Sequence, residues 1–454
     1  LGDKLFGDFL KNAFILYVDR FARYSIYGLA AVLDRLRDLD VFLVEDLGLV
    51  ERLVDYASSN YSACALGFSL LTTRVADDIF YDNVVRIVKY TGRRGCLTVA
   101  GGPHASGDPL GVLLNMGFKV AVAGEGEPAI VDLASYLARD LSLDEARNIV
   151  YIDEQGGLRV GRRANPVNLD DYPPFPYWRH LYTPIEITRG CFHGCWFCQV
   201  SYFHGFKPRH RSVGNIVEYA KIMVEEGVRD IRFITPDALS YNLSDIRQPV
   251  DEDALAQLLE GLHQVASPAG ARIYLGSFPS EVRPEHVTEG SARVLKRYVS
   301  NKEIIVGAQS GSNRVLERIH RGHSIEDVFN AVDILIKTGF KPSVDFIFGL
   351  PSETEEDMLE TVRVARVLAE RGARIHLHYY LPLPGTPLFP RRPTPIPPRV
   401  RAEIVRLIGS GSAYGSFAEQ ERLSARIVEL VEKGVIRPRV TRLLSPVEQV
   451  HRSR

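Results

Sequence analysis

The sequence predicts an α/β protein built from two successive strand–helix series: a doubly wound parallel sheet first, then a partial (β/α)6 barrel, then a small helical C-terminal tail. Three observations predict it. Short and almost wholly apolar runs recur along the chain, as expected of strands buried on both faces. Stretches of helical period separate those runs, the pattern of parallel strands joined by crossover helices. A Pro-, Gly- and charge-rich break, "GGLRVGRRANPVNLDDYPPFPYWRHLY" at 156–182, divides the two series and reads as a linker. At 454 residues the chain is long enough for two domains, each with its own core.

In the first series, "AFILYV", "VFLVED", "ACALGFSL", "CLTVAGG" and "KVAVAGEGE" are the strands, and "YGLAAVLDRLRDL" and "YDNVVRIVKYTG" are helices between them. This places a first domain at 1–155. Several strands run into glycine-containing turns, where such sheets bind ligands. In the second series, "PIEITRG", "DIRFITP", "RIYLGSF", "EIIVGAQ", "PSVDFIFGL" and "RIHLHYYLPL" alternate with helical stretches such as "NIVEYAKIMVEEG" and "IEDVFNAVDILIKTG". Six units over 183–390 suit a partial barrel with its active site at the C-terminal strand ends. Residues 391–454 hold two more helical stretches.

Composition excludes little but points one way. Hydrophobic residues make up 45%, charged residues 24%, and the net charge is -1, so no electrostatic reason exists to expect nucleic acid as a partner. No apolar run is long enough to span a bilayer, and the first residues lack a signal-peptide pattern. The chain reads as cytoplasmic.

The chemistry concentrates in "TRGCFHGCWFCQ". Cys191, Cys195 and Cys198 are spaced C-x3-C-x2-C just after the first barrel strand, while the other two cysteines, Cys64 and Cys96, lie far away. A 4Fe-4S cubane normally takes four thiolates, so three leave one iron open to a ligand. Gly190 and Gly194 let the backbone wrap closely. Zinc completed by His193 or His204 is the competing reading, although zinc motifs usually come as paired knuckles.

Placed there, the triplet resembles the radical S-adenosylmethionine (SAM) superfamily, whose aromatic slot before the last cysteine is filled by Phe197. The resemblance implies a 4Fe-4S cluster whose open iron binds SAM and whose electron cleaves it to a 5'-deoxyadenosyl radical. It also implies SAM contacts: Ile347 and Gly349 in "VDFIFGLPSE" at adenine, Gln309 and Ser310 near the ribose, and Arg321 on the carboxylate. Where that family carries a "GGE" stretch for the SAM amino group, this chain has "ITPDAL", with Asp237 as the substitute.

The N-terminal series resembles cobalamin-binding Rossmann-like domains. Their S-x-L and G-G elements recur as Ser69 with Leu71 and Gly101 with Gly102, and "VAGEGEPAIVDL" puts Gly124 and Glu125 at the last strand end. Their first element is altered: Asp19 is kept, but Phe21 stands in the place of the cobalt-ligating histidine and Tyr24 in that of the glycine. The combined resemblance implies a cobalamin-associated radical SAM enzyme that methylates an unactivated carbon. Such an enzyme takes a small-molecule or lipid-like substrate and an electron donor such as ferredoxin or flavodoxin.

Two other enzyme readings stay open. One is a methylthiotransferase, suggested by "QSGSNRVLERIHRG", although that class holds a second cluster on three N-terminal cysteines. The other is radical chemistry without methyl transfer. From a different class, the chain could be a non-catalytic iron-sulfur or zinc protein. His376 and His378 share one face of the last strand by period two and point together toward substrate or line the barrel. The basic stretch Lys207 to Ser212 is a candidate anion contact, and Trp178 and Tyr182 are expected to pack between the domains.

Overall fold

The computed structural model describes residues 11–437. Of these, 11–167, 171–183 and 430–437 form one compact unit, and 168–170 with 184–429 form a second.

The first unit is built on a seven-stranded sheet of β1 (Asn12–Tyr17), β2 (Leu39–Val44), β3 (Cys64–Ser69), β4 (Leu97–Gly101), β5 (Val120–Val122), β6 (Ile149–Ile152) and β7 (Leu158–Val160), in the order β2-β1-β3-β4-β5-β6-β7. β1 to β5 are parallel, and every residue of β1 and β3 is buried, which is why those runs are so apolar. The order reverses between β1 and β3. A crevice therefore opens beyond the carboxyl ends of these two strands, the place where doubly wound sheets take ligands. Cys64 and Cys96 are joined in a disulfide that ties the start of β3 to the residue before β4.

Two expectations change here. β6 and β7 add antiparallel to the sheet edge, so the sheet is mixed and part of the expected linker is strand. Trp178 and Tyr182 belong to this first unit: Trp178 Nε1 donates to Asp34 Oδ2 at 2.8 Å, and the Tyr182 ring meets Phe175 at 5.4 Å.

The second unit holds β8 (Ile185–Glu186), β9 (Thr188–Arg189), β10 (Arg209–His210), β11 (Asp230–Ile234), β12 (Arg272–Tyr274), β13 (Glu303–Gln309), β14 (Lys341–Phe348), β15 (Arg374–Tyr379) and β16 (Ala413–Tyr414). Seven of them form two parallel arcs, β12-β11-β8 and β13-β14-β15-β16, and β9 and β10 pair with each other. Between the arcs runs the irregular segment from Gly276, whose carbonyl accepts Ile305 N–H, to Val282, which bridges Val306. Capping boxes at Thr288, Ser324 and Thr354 start the helices Glu289–Tyr298, Ile325–Lys337 and Glu355–Glu370 that back these strands.

The tail is helical at Pro398–Gly409 and Phe417–Glu432, but β16 lies between the helices and extends the second arc beside β15. The basic stretch "RPRVTRLLSPVEQVHRSR" at 437–454, too short and mixed to imply RNA binding, falls almost entirely outside the described residues. No helix among those described is long and apolar enough to cross a membrane.

Candidate active site

The cysteine loop is closed at its base by the antiparallel clasp of β9 and β10, which pairs Arg189 with Arg209 and Thr188 with His210. Gly190 and Gly194 both take positive φ, and neither has room for a side chain. A Cβ on Gly190 would stand 3.0 Å from the carbonyls of Gly205 and Lys207, and one on Gly194 would stand 2.5 Å from the Phe206 ring. Ser201 pins the turn by accepting Gly194 N–H and donating to the Cys191 carbonyl at 2.8 Å; the Tyr202 hydroxyl donates to the Gly194 carbonyl at 2.7 Å.

All three thiols are free of disulfides. Burial raises Cys191, and burial with the neighbouring Cys195 pushes Cys198 up to about 12. Cys195 behaves differently. Its burial acts upward too, but the Arg321 and Arg283 guanidiniums beside it prevail and hold the thiol below its ordinary value. Arg321 Nη1 stands 3.5 Å and Arg283 Nη1 3.7 Å from its sulfur. Deprotonating three desolvated thiols together requires a cation among them, so the donor set fits a metal cluster and not a packed core.

Arg321 is 8% exposed, donates from Nη2 to the Gly307 carbonyl at 2.6 Å, and leaves its buried Nε without a partner. A buried guanidinium nitrogen left bare is costly. It fits a carboxylate ligand.

In the first unit, the crevice at the sheet's reversal gathers the small residues. The Ser69 hydroxyl lies 3.0 Å from that of Ser25, at the start of the helix Arg23–Leu33. Leu70 N–H donates to the Gly101 carbonyl and His104 N–H to the Leu70 carbonyl, which brings Ser69, Leu71, Gly101 and Gly102 to one place. Gly102 has φ +86, and a Cβ there would lie 2.8 Å from Leu70 N. A Cβ on Gly101 would meet nothing nearer than 3.8 Å. The chain's own packing therefore does not explain the small size of Gly101. Phe21 and Tyr24, which follow β1, are 52% and 44% exposed. Small residues and partly exposed aromatics at a switch point fit a large planar cofactor.

The sequence pattern of the radical SAM superfamily matches residues 185–365, the stretch that holds the cysteine loop and the strands behind it. This part of the chain is a radical SAM domain. Such a domain works with a 4Fe-4S cluster and SAM, in keeping with the thiols and the bare Arg321 nitrogen. A tRNA-2-methylthio-N(6)-dimethylallyladenosine synthase of Psychrobacter sp. is 32% identical over 245 residues, covering 53% of this chain and 47% of that protein. An uncharacterised protein of Methanopyrus kandleri is 23% identical over 386 residues, 75% of this chain and 71% of its own length. The chain spans about half the length of the first of these curated relatives. In fold it is similar to the radical SAM methyltransferase TsrM from Kitasatospora setae (TM-score 0.65, 18% identity, 84% of this chain and 77% of that one). It is also similar to the cobalamin-dependent radical enzyme OxsB (TM-score 0.64, 16% identity, 94% and 56%).

Within the radical SAM domain, Phe197 and Ile347 pack against one apolar cluster that includes Leu350 and Tyr380, so the cysteine loop and the end of β14 are neighbours. Gly349 has φ +77, and a Cβ there would strike the Tyr379 ring at 2.8 Å. Gln309 sits at a register shift of β13 with φ +73 and is buried. Ser310 is fully buried, 3.5 Å from the Thr361 hydroxyl and accepting Ser312 N–H, so its oxygen is tied to the helix behind the strand.

Asp237 likewise faces inward. Its carboxylate accepts Leu239 and Arg283 N–H at 3.2 Å each and pairs with His286, which makes it an anchor for the 283–286 segment. In the first unit Gly124 N–H donates to Ser106 Oγ, and the Glu125 carboxylate takes Val167 N–H at 2.8 Å. The basic stretch after the loop is structural too: buried Arg211 donates to the Glu186 carbonyl and to Asn215. Sequence reasoning missed Arg283, which no local motif marks and which only packing brings to the Cys195 sulfur.

Proposed function

We propose that this chain is a cobalamin-dependent radical SAM enzyme that transfers a methyl group to an unactivated carbon of a small-molecule or lipid-like substrate. In this reading 1–155 is the cobalamin-binding domain and 183–390 the radical SAM barrel. The observation that carries it is Arg321, which touches the Cys195 sulfur while keeping one buried N–H unpartnered, as a group serving both a cluster and SAM must.

The cluster supplies the electron that cleaves SAM, and cobalamin carries the methyl group. The chain's own residues do the rest. Cys191, Cys195 and Cys198 hold iron, and Arg321 and Arg283 offset the negative charge of the thiolates. Phe197, Trp196 and Ile347 exclude water from the loop. Gly349 allows close approach at the end of β14, and Ser69, Gly101 and Gly102 shape the crevice that holds the corrin or its tail. Phe21 offers no atom that could ligate cobalt, so position 21 would supply no ligand to a bound cobalamin. A ferredoxin or flavodoxin supplies electrons, and the enzyme works in the cytoplasm.

The curated relatives favour one other reading, a methylthiotransferase. It needs three further cysteines for a second cluster, and the two that remain in this sequence are bonded to each other. The deciding experiment is the visible spectrum of anaerobically reconstituted protein after incubation with hydroxocobalamin and removal of unbound cofactor. A retained corrin band beside the iron-sulfur shoulder is expected. An iron-sulfur spectrum alone removes cobalamin from the proposal.

A further inference from the structure

We infer that His376 is a proton acceptor built into the barrel, held in its accepting form by Asp345, and that the substrate presents an O–H or N–H group to it. Asp345 on β14 and His376 on β15 are register partners, and His376 Nδ1 lies 3.2 Å from Asp345 Oδ1. Burial acts to raise Asp345, but its hydrogen bonds with His376 and His378 prevail, and it stays below the usual carboxylate range. An ionised carboxylate there can only accept, so His376 carries its proton on Nδ1 and has a lone pair on Nε2. Among the described residues Nε2 makes no hydrogen bond, and the side chain is 27% exposed. The ring lies flat on Tyr414, centroids 4.5 Å apart, and the Tyr414 hydroxyl is fixed by Ser343 at 2.9 Å. Its plane is therefore set from two sides.

His378 settles what kind of site this is. The Gln420 carbonyl accepts Tyr379 N–H at 2.8 Å, so its amide nitrogen faces His378 Nδ1 at 3.2 Å and can only donate. A neutral His378 thus accepts at Nδ1 and carries its proton on Nε2, 3.7 Å from Asp345 Oδ2. The ligand atoms of Asp345, His376 and His378 all lie within 4.8 Å of one another, the composition of a two-histidine, one-carboxylate metal site. A metal on His378 Nε2 would drive the proton to Nδ1, donor against donor with Gln420. The hydrogen bonds around His378 therefore suit a proton and not a metal.

The charged and titratable groups around His376 are Asp345 from β14, His378 on its own strand, Tyr414 from β16 with Arg374 stacked 4.3 Å over it, and Glu281 from the segment before β13. Burial and the neighbouring Asp345 push Glu281 upward. In the step itself, the substrate O–H or N–H bond breaks heterolytically, its electron pair stays on the heteroatom, and the proton forms a bond to Nε2; Asp345 stabilises the resulting imidazolium. Deprotonating a heteroatom on the reacting carbon weakens the adjacent C–H bond. That use of the base rests on the radical SAM reading; the base itself does not.

Full-length, cluster-loaded protein is treated anaerobically with diethyl pyrocarbonate, which acylates an unprotonated imidazole nitrogen, and acylation of His376 is timed by peptide mass spectrometry at one fixed pH of about 8. His376 is expected to react. Asp345→Asn is expected to slow its acylation roughly threefold or more and Asp345→Glu to restore most of the rate, because the carboxylate partner makes the imidazole a better proton acceptor. An unreactive His376, an unchanged rate in Asp345→Asn, or stoichiometric Co2+ binding with a visible band lost in His376→Ala would overturn the inference. SAM cleavage is measured on parallel samples without the reagent. A slowed rate in Asp345→Asn with no SAM cleavage by the unsubstituted protein refutes the radical SAM reading alone, and cleavage with an unchanged rate refutes the base alone.

Discussion

Gly101 and Gly102 are adjacent, yet the structure assigns their small size to different causes. Gly102 is in the left-handed region at φ +86, where a side chain costs about 1–2 kcal/mol. A Cβ would also stand 2.8 Å from Leu70 N and from Ser69 Oγ, and 2.9 Å from Leu70 O. Two of those three are backbone atoms that cannot swing away, and overpacking of this kind costs about 1–3 kcal/mol. Gly102→Ala should therefore destabilise the first unit by about 2–5 kcal/mol. Gly101 has φ -124 and ψ -168, ordinary extended backbone, and 3.8 Å of clearance, so Gly101→Ala should be nearly neutral for folding. Its methyl group instead enters the crevice. Denaturant midpoints followed by circular dichroism measure the first effect, and corrin retained after gel filtration measures the second. Gly102→Ala with a wild-type midpoint would refute the steric argument. Gly101→Ala that keeps full corrin would show that the crevice does not hold the cofactor.

Three other outcomes are expected. Arg321→Lys keeps the charge but loses the planar fork, and with it a charge-assisted hydrogen bond of about 1.5–3 kcal/mol; SAM should bind cluster-loaded protein roughly 10- to 150-fold more weakly by equilibrium dialysis. Replacing Cys64 and Cys96 together by Ser opens a loop of sequence separation 32 and should lower stability by about 3–4 kcal/mol, read from the denaturant midpoint under non-reducing conditions. The buried Asp237–His286 pair makes stability depend on pH. For Asp237, burial raises the carboxyl, but the charge and hydrogen bond of His286 together with Arg283 leave it lowered, so its contribution is present above the ordinary carboxylate value and lost as pH falls through the lowered one. For His286, burial lowers the imidazole, but the charge and hydrogen bond of Asp237 together with Glu285 leave it raised, so its contribution is complete below about pH 6.5 and lost as pH rises through the raised value. Asp237→Asn should flatten the alkaline limb of the midpoint-against-pH curve and cost about 3–5 kcal/mol near pH 6; an unchanged limb would contradict the pairing.

Local chemistry made much of this protein legible from sequence. Strands buried on both faces must be apolar, so the runs around Phe14 and Leu66 declare themselves. Three thiols in one loop have no packing purpose, and Gly190, Gly194 and Gly349 stand where no side chain fits. These signals are contiguous in the chain, and contiguity is what a sequence displays.

The rest was decided by packing between distant segments. β7 lay inside a stretch that looked like a linker because its three residues are exposed and too few to show a strand period among the surrounding Gly, Pro and charges. β16, two residues long, is specified by its partner β15 and not by itself. Asp237, expected at the SAM amino group, also anchors its surroundings, because His286, 49 residues on, folds back onto it. Ser310 is turned to Thr361 and Glu125 to Val167 for the same reason. The sequence by itself determined most of the elements and where the cysteine loop lies, since propensity, burial period and ligand spacing act over a few residues. Only the tertiary structure decided which carboxylates and guanidiniums face the thiols and which proton His376 carries, because those depend on hydrogen-bond partners brought together by strands far apart in the chain.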